Sequence, residues 1–264
     1  MVPEPFVTEA LVLRIIDLGE SDRVVHLLTP SHGRVPAIAK GARRSRRRFP
    51  GTLDLANRLR VRIRPPRRGG LAHLEQAVLL DPHAGLRHEL GRFALAGFLL
   101  ELLGRLAPEG AAPADARRLY DFATGSLALL ARAAPRAGLR AVLELHGLDA
   151  LGLRPELGGC VRCERRLPPA AGRVRFHLGE GGPVCSRCIR PGDRTEPVEA
   201  ATLRALARGL ELDLADLDRL ELPAPTEAEA CRLLRLLLRF HLGLELRSER
   251  FLDEIGASGG SPAA

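Results

Sequence analysis

Cys160-x-x-Cys163 is followed, after 21 intervening residues, by Cys185-x-x-Cys188. Each x-x turn folds two sulfurs toward one point, and two such pairs place four thiolates where one tetrahedral metal ion can take all of them. The intervening stretch slightly exceeds the usual upper limit of this pattern, which a longer hairpin between the knuckles absorbs. The surrounding residues are rich in Gly, Pro and Arg and hold too few apolar side chains for a core of their own. Metal binding, contributing on the order of 10 kcal/mol in such sites, is therefore expected to fold this segment. Four thiolates fill zinc's coordination shell and leave no position for water, so Cys160, Cys163, Cys185 and Cys188 are expected to hold one structural Zn2+ rather than a catalytic one. The bland alternative is four ordinary reduced cysteines. His177 lies between the pairs and reads as a hairpin residue rather than a ligand. Cys231 sits in a Leu-rich helical pattern and reads as a small core residue. An odd cysteine count with C-x-x-C pairs fits a reducing compartment better than a disulfide framework.

Charge supplies the second constraint. Between positions 40 and 68 stand 12 Lys or Arg and one acid, Asp54, a local +11 in a chain whose net charge is only +8. The rest of the molecule is slightly acidic, so the basicity belongs to one segment. Lys40, Arg43, Arg44, Arg46, Arg47 and Arg48 form a loop-like run whose heads can follow phosphates. Arg58, Arg60, Arg62 and Arg64 alternate strictly with Leu59, Val61 and Ile63, which predicts a strand with the apolar residues inward. Its four arginines then stand outward, about 6.6 Å apart. A charge run is ordinarily a solvated surface, but a charge this concentrated favours a polyanion partner. Only Phe49 lies in the segment as a base-stacking platform, so binding should run through the nucleic-acid backbone with little sequence preference. If about six phosphates are contacted, single-strand affinity should fall with salt at a logarithmic slope of about −4. Holding phosphates while leaving base edges free screens the repulsion between two strands, which is a route to annealing.

Residues 6 to about 80 read as β, with strands at Ala10–Ile16, Val24–Thr29, Val35–Ala39, Arg58–Arg64 and Leu71–Leu80. Five short strands with no room for crossover helices predict a small antiparallel barrel. From Pro82 the period becomes helical. Leu86–Leu106 reads as a helix apolar nearly all round (Phe93, Leu95, Leu99, Leu100, Leu102, Leu103, Leu106), hence buried. Further helices are expected at 114–133, 136–151 and 200–211. Thr226-Glu227-Ala228-Glu229 reads as a capping box opening a long helix through Leu246. Residues from Gly256 onward are expected to be flexible. On that last helix Arg232, Arg235 and Arg239 share one face, read as solvated, with an accessory phosphate track as the lesser alternative.

No Ser/His/Asp pairing, phosphate-binding lysine loop or HExxH stands in the chain, and its acids form no two-metal cluster, so no enzyme activity is expected. The start of the sequence lacks a basic and apolar leader. The longest apolar stretch, Phe93–Leu100, closes at Glu101, far too short for a bilayer. A soluble, cytoplasmic protein is expected.

Several of these residues carry a resemblance. Lys40-Gly41-Ala42-Arg43-Arg44 after a β segment, Gly152-Leu-Arg-Pro155 leading into the first cysteine pair, and Gly181-Gly182-Pro183-Val184 leading into the second are similar to the RecO family of bacterial recombination and repair mediators. So are His241-Leu242-Gly243, Arg247-Ser248 and Phe251-Leu252. The resemblance implies an α+β chain. An N-terminal OB-fold β-barrel (1–81) would precede a helical domain (82–256) with a four-cysteine zinc module (154–193) and a flexible tail (257–264). It implies binding of single- and double-stranded DNA, strand annealing, and partnership with RecR and the C-terminal tail of single-strand-binding protein, and indirectly with RecA, at the bacterial nucleoid. Two departures from the family pattern, Ser45–Phe49 and Asp54–Asn57, bear on the DNA and RecR surfaces. Barrel and zinc alone would equally permit a zinc-containing RNA- or ribosome-binding assembly factor.

Overall fold

A computed structural model describes residues 4–45, 47–66, 69–133, 138–168, 171–243 and 245–258. The chain divides into two compact units, Met1–Ala133 with Ser248–Ala264, and Ala134–Arg247.

The first unit opens with five strands: β1 (Phe6–Leu18), β2 (Asp22–Thr29), β3 (Gly33–Ala39), β4 (Arg58–Arg64) and β5 (Ala72–Asp81). They close into a barrel in the order β1-β2-β3-β5-β4, with β4 pairing back onto β1. This is an OB-like arrangement. One pairing departs from the antiparallel expectation: β3 and β5 run parallel through Ala37↔Ala72 and Ile38↔His73. The long passage from β3 to β5 through β4 allows this, because β4 occupies the place between β5 and β1. β4 alternates as expected, with Leu59, Val61 and Ile63 at most 1% exposed. They join Ala10, Val12, Val25, Leu27 and Ala37 in the barrel core.

Gly33 ends the β2–β3 turn at φ +65°, and a Cβ there would lie 2.6 Å from the Pro108 carbonyl oxygen. That carbonyl accepts the Arg34 N–H at 3.0 Å, so the strand start and the later loop can meet only at a glycine.

Two helices complete this unit, α1 (Leu90–Leu106) and α2 (Pro113–Arg132). α1 begins later than the sequence pattern suggests, since Ala84–His88 forms a separate 3-10 turn. Leu95, Leu99, Leu100, Leu102 and Leu103 are buried as expected, but Phe93 is 43% exposed. The Tyr120 hydroxyl on α2 donates to Glu9 on β1 at 3.1 Å. A last helix, α6 (Arg247–Ser258), belongs to this unit too. The Ser248 amide and hydroxyl both donate to Glu101, at 2.9 and 2.7 Å. The sequence pattern predicts no helix here and a flexible end from 256–257 onward; α6 instead runs to Ser258. Residues 259–264 lie outside the described residues.

The second unit holds α3 (Leu139–Ala150), a three-stranded sheet of β6 (Arg173–His177), β7 (Gly182–Val184) and β8 (Thr195–Glu199), then α4 (Ala200–Glu211) and α5 (Ala224–Leu242). The capping-box reading is overturned. α5 starts at Ala224 after Pro223, with Pro225 in its first turn, where proline's missing N–H is harmless, and Thr226 falls inside the helix. Glu229 caps a different helix: its carboxylate accepts the Glu199 amide at 3.1 Å and the Thr202 hydroxyl at 2.5 Å, at the start of α4. α5 also ends earlier than expected, at Gly243, whose left-handed φ of 60° closes it through an N–H bond to Arg239.

Phe49 lies in the β3–β4 connection yet is 3% exposed and part of the barrel core. Phe49→Ala should destabilise the first unit by about 3–5 kcal/mol. Urea unfolding followed by a probe in that unit is the check.

Candidate nucleic-acid interface and metal centre

The basic loop after β3 is a built structure. Gly41 turns at φ +66°, and its N–H donates to the Asp22 carboxylate at 2.8 Å. That bond, with a second from the Ser21 hydroxyl, holds the Asp22 carboxyl below its ordinary value. The Arg43 amide donates to the Ser21 carbonyl, and its guanidinium to the Gly19 carbonyl, both at 3.0 Å. Arg48 reaches back to the Lys40 carbonyl at 2.6 Å. Ala42 and Phe49 are buried under this turn, while Lys40, Arg43, Arg44, Arg47 and Arg48 are exposed. Phe49 is therefore no stacking platform; the Arg48 guanidinium lies over its ring, 5.3 Å from the centroid. Arg46 lies outside the described residues, as do Arg67 and Arg68 at the end of the basic stretch.

On β4 the four arginines take different electrostatic positions. Arg58 lies 3.6 Å from Glu9. Arg62 pairs with Glu75 at 3.0 Å, and Arg64 binds the other oxygen of the same carboxylate. Arg60 has no ion pair among the described residues, and neither do Lys40 and Arg47; Arg43 and Arg44 have only long contacts of 3.8 Å to Asp17 and Glu20. Sequence reading missed Glu75 as a partner because the pairing depends on the β4–β5 register, which a bulge between Arg62 and Ile63 shifts. Val7 and Val78, opposite Arg62 and Arg60 in register, are 62% and 50% exposed. On α5, Arg232 is tied to Glu196 at 3.1 Å and Arg239 to Glu245 at 3.3 Å.

The four cysteines come together, with all four sulfurs within 4.8 Å of one another. Cys163 and Cys185 Sγ are 3.8 Å apart. A metal–sulfur bond of about 2.3 Å in a tetrahedron sets sulfur–sulfur spacings near 3.8 Å, so this donor set fits a four-coordinate divalent ion. Each knuckle is fastened by its own amides. Glu164 N–H donates to the Cys160 carbonyl at 2.8 Å, and Cys188 N–H to the Cys185 carbonyl at 2.9 Å. Burial raises the Cys160 thiol pKa, but amide donors from Cys185, Arg162 and Cys163 outweigh it and leave the value at about 6. Cys188, sharing hydrogen bonds with Cys185 and Cys163, is pushed up to about 12. All four ionise together only when a cation balances them. Cys231 stands apart in α5, buried, with its thiol pushed up to about 12 by that burial.

The residue that joins the knuckles escaped the sequence reading. Arg162, one of the two x positions of the first pair, donates to both oxygens of Glu180 and, at 2.8 and 2.9 Å, to both oxygens of Asp193. It also reaches the Cys188 carbonyl at 2.5 Å. One guanidinium thus connects the first knuckle, the β6–β7 turn and the chain beyond the second knuckle. His177 is no ligand: its Nδ1 accepts the Glu180 amide at 3.1 Å, leaving Nε2–H to face Asp193 at 3.5 Å. Hydrogen bonds from Arg162 hold both the Glu180 and Asp193 carboxyls below their ordinary values. Their stabilisation is full above the usual carboxylate pKa of about 4 and fades only as pH falls toward the depressed values. Nothing one-dimensional marks Asp193, 31 residues from Arg162. No helix among the described residues is long and apolar enough to cross a membrane.

The chain matches the family description "Recombination protein O N terminal" over residues 4–83 and "Recombination protein O C terminal" over residues 87–250. It is 42% identical to "DNA repair protein RecO" of Anaeromyxobacter dehalogenans (strain 2CP-C) over 246 residues, 93% of this chain and 95% of that one. The Pelobacter propionicus protein of the same name is 34% identical, over 94% of this chain and 96% of its own. The Roseiflexus one is 36% identical, over 94% and 85%.

Arg162→Met should weaken metal retention by about 10-fold or more, as loss of an outer-shell partner does. Arg165→Met, at an exposed position without an ion pair among the described residues, should leave it unchanged. Competition with a chromophoric chelator reads both variants.

Proposed function

Because the chain belongs to the RecO family of DNA repair and recombination proteins, we propose that it is a non-enzymatic mediator that binds single- and double-stranded DNA without sequence preference and anneals complementary strands. On this reading residues 1–81 form the DNA-binding domain, and the helical domain 82–256 carries the zinc module 154–193. The protein acts in the cytoplasm at the nucleoid. With RecR, it helps load RecA on DNA coated by single-strand-binding protein, whose acidic C-terminal tail it engages. The four cysteines hold one structural zinc ion, an assignment supported by an all-thiolate set with no place for water.

The observation that carries DNA binding is a closed barrel whose β4 turns Arg58, Arg60, Arg62 and Arg64 outward, together with an ordered loop exposing Lys40, Arg43, Arg44, Arg47 and Arg48. With Phe49 buried, this segment offers phosphates a row of charges and offers bases no exposed aromatic ring. A strand held by its phosphates keeps its base edges free, and the neutralised backbone no longer repels a second strand.

The internal ion pairs rank the arginines. Among the described residues Arg60 has no carboxylate to leave, whereas Arg64 must give up Glu75 to bind a phosphate. Arg60→Ala should therefore lower the salt slope of single-strand binding by about 0.7, and Arg64→Ala by less. Fluorescence polarisation across a salt series measures both. Undiminished annealing of oligonucleotides coated with single-strand-binding protein, after Arg60, Arg62 and Arg64 are all changed to Glu, would remove the basis of the proposal. Preference for structured RNA with no gain in annealing would point instead to an RNA-assembly role.

A further inference from the structure

The metal module carries a second concentration of positive charge outside the barrel. Arg165, Arg166, Arg175, Arg187, Arg190 and Arg194 are all exposed, and none has an ion pair among the described residues. The other arginines of the module are already engaged, Arg154 by Asp149 at 3.8 Å, Arg162 by Glu180 and Asp193, and Arg173 by Glu199 at 2.9 Å. Among the acids of the module, Glu180 and Asp193 are committed to Arg162, which leaves Glu156 and Glu164 as exposed carboxylates without an ion pair among the described residues.

Covalent geometry and strand pairing bring five of these arginines near the cysteines, and Arg194 follows Asp193, which Arg162 of the first pair binds. Arg187 lies within the second cysteine pair, and Arg165 and Arg190 each lie two residues beyond a cysteine. A two-residue span is at most about 7 Å, and the four sulfurs lie within 4.8 Å of one another. Arg175 pairs in register with Val184, the neighbour of Cys185, and Arg166 bridges to Gly159, the neighbour of Cys160. Six positive charges thus stand on the surface near a centre whose four thiolates and divalent ion carry two net negative charges; Glu156 and Glu164 add one each, and the Arg162–Glu180–Asp193 cluster adds one more. A single positive charge remains in excess, and it is the arginines that face water. The arginines stand on knuckle turns and a central strand, so little backbone order is lost when they bind. The one aromatic residue of the module, Phe176, is completely buried, so bases find no stacking surface here.

We infer that this arginine cluster is a second DNA-phosphate site, independent of the barrel, which lets one chain hold two strands at once. The inference rests on the DNA-binding reading above and adds a role for the metal, which keeps the six charges together.

The test titrates a fluorescent oligothymidine into the full-length, metal-loaded protein at concentrations far above the dissociation constant. Two equivalents should bind per chain. A variant with Arg165, Arg175, Arg187 and Arg190 changed to Gln, its metal content verified, should bind one, with a salt slope smaller by about 3. A barrel variant with Lys40, Arg44, Arg47 and Arg60 changed to Gln should also retain one. If the module variant keeps its metal and matches the unaltered protein in stoichiometry and slope, the second site does not exist, although DNA binding by the barrel stands. If instead the barrel variant loses nothing, the barrel reading fails while the module site stands. Should the module variant lose its metal, arginine modification by phenylglyoxal on the unaltered protein decides. DNA should shield the four module arginines, and equal modification with and without DNA would overturn the inference.

Discussion

The register of β4 is the constraint on which the barrel and its charge both depend. Side chains in a strand alternate with period two, so a slip of one residue would turn Arg58, Arg60, Arg62 and Arg64 into the barrel and Leu59, Val61 and Ile63 out to water. Burying even one unpaired guanidinium would cost more than the three apolar side chains gain. The alternation therefore excludes every odd-residue slip, and the observed register closes the barrel through Phe6↔Ile63 to Leu11↔Arg58 on β1 and Ile63↔Leu74 on β5. Closure reduces the seam between the outer strands to the short β3–β5 pairing of Ala37↔Ala72 and Ile38↔His73. The same pattern that specifies the fold thus presents the charge, and neither could change without the other.

The second unit meets a different constraint, a segment with few apolar side chains. Its sheet buries Phe176, Val184 and Val198, too little to fix the long loops that hold the cysteines. Two cross-links compensate: the metal site and the Arg162 clamp. They are complementary in range. A metal ion held by the four cysteines would tie the two knuckle turns at their sulfurs. Arg162 ties the same turns through the Cys188 carbonyl and extends the connection to Glu180 and Asp193. A guanidinium can do this because its donors are fixed in one plane and can serve two carboxylates and a carbonyl at once. Lysine could not.

What the sequence made legible follows the range of the interactions. The strand alternation of β4, the paired cysteines and the span of α4 each depend on neighbours within a few residues. They were readable as they stand. The parallel β3–β5 pairing, the Arg62–Glu75 pair and the Arg162–Asp193 clamp join residues distant in sequence, and no local pattern encodes them. The capping box at Thr226–Glu229 shows a subtler failure. Its composition was right, but Pro225 had already started the helix, and Glu229 was free to cap α4 instead. The end of α5 is another matter, because Gly243 was a visible stop signal.

Ion pairing within the protein also bears on how a basic surface can serve annealing. An arginine held by an exposed carboxylate has a partner worth at most about 1 kcal/mol, which a phosphate can displace. On the proposed DNA-binding reading, such pairs would make DNA contact an exchange rather than a simple gain, weakening it without abolishing it. A surface in which Arg60, Lys40 and Arg47 would bind outright while Arg62 and Arg64 would bind by exchange could hold a strand firmly enough to neutralise it and loosely enough to release it. A protein that brings two strands together must let go of the duplex it has made. Partial self-neutralisation by Glu9 and Glu75 is a physical means of setting that balance.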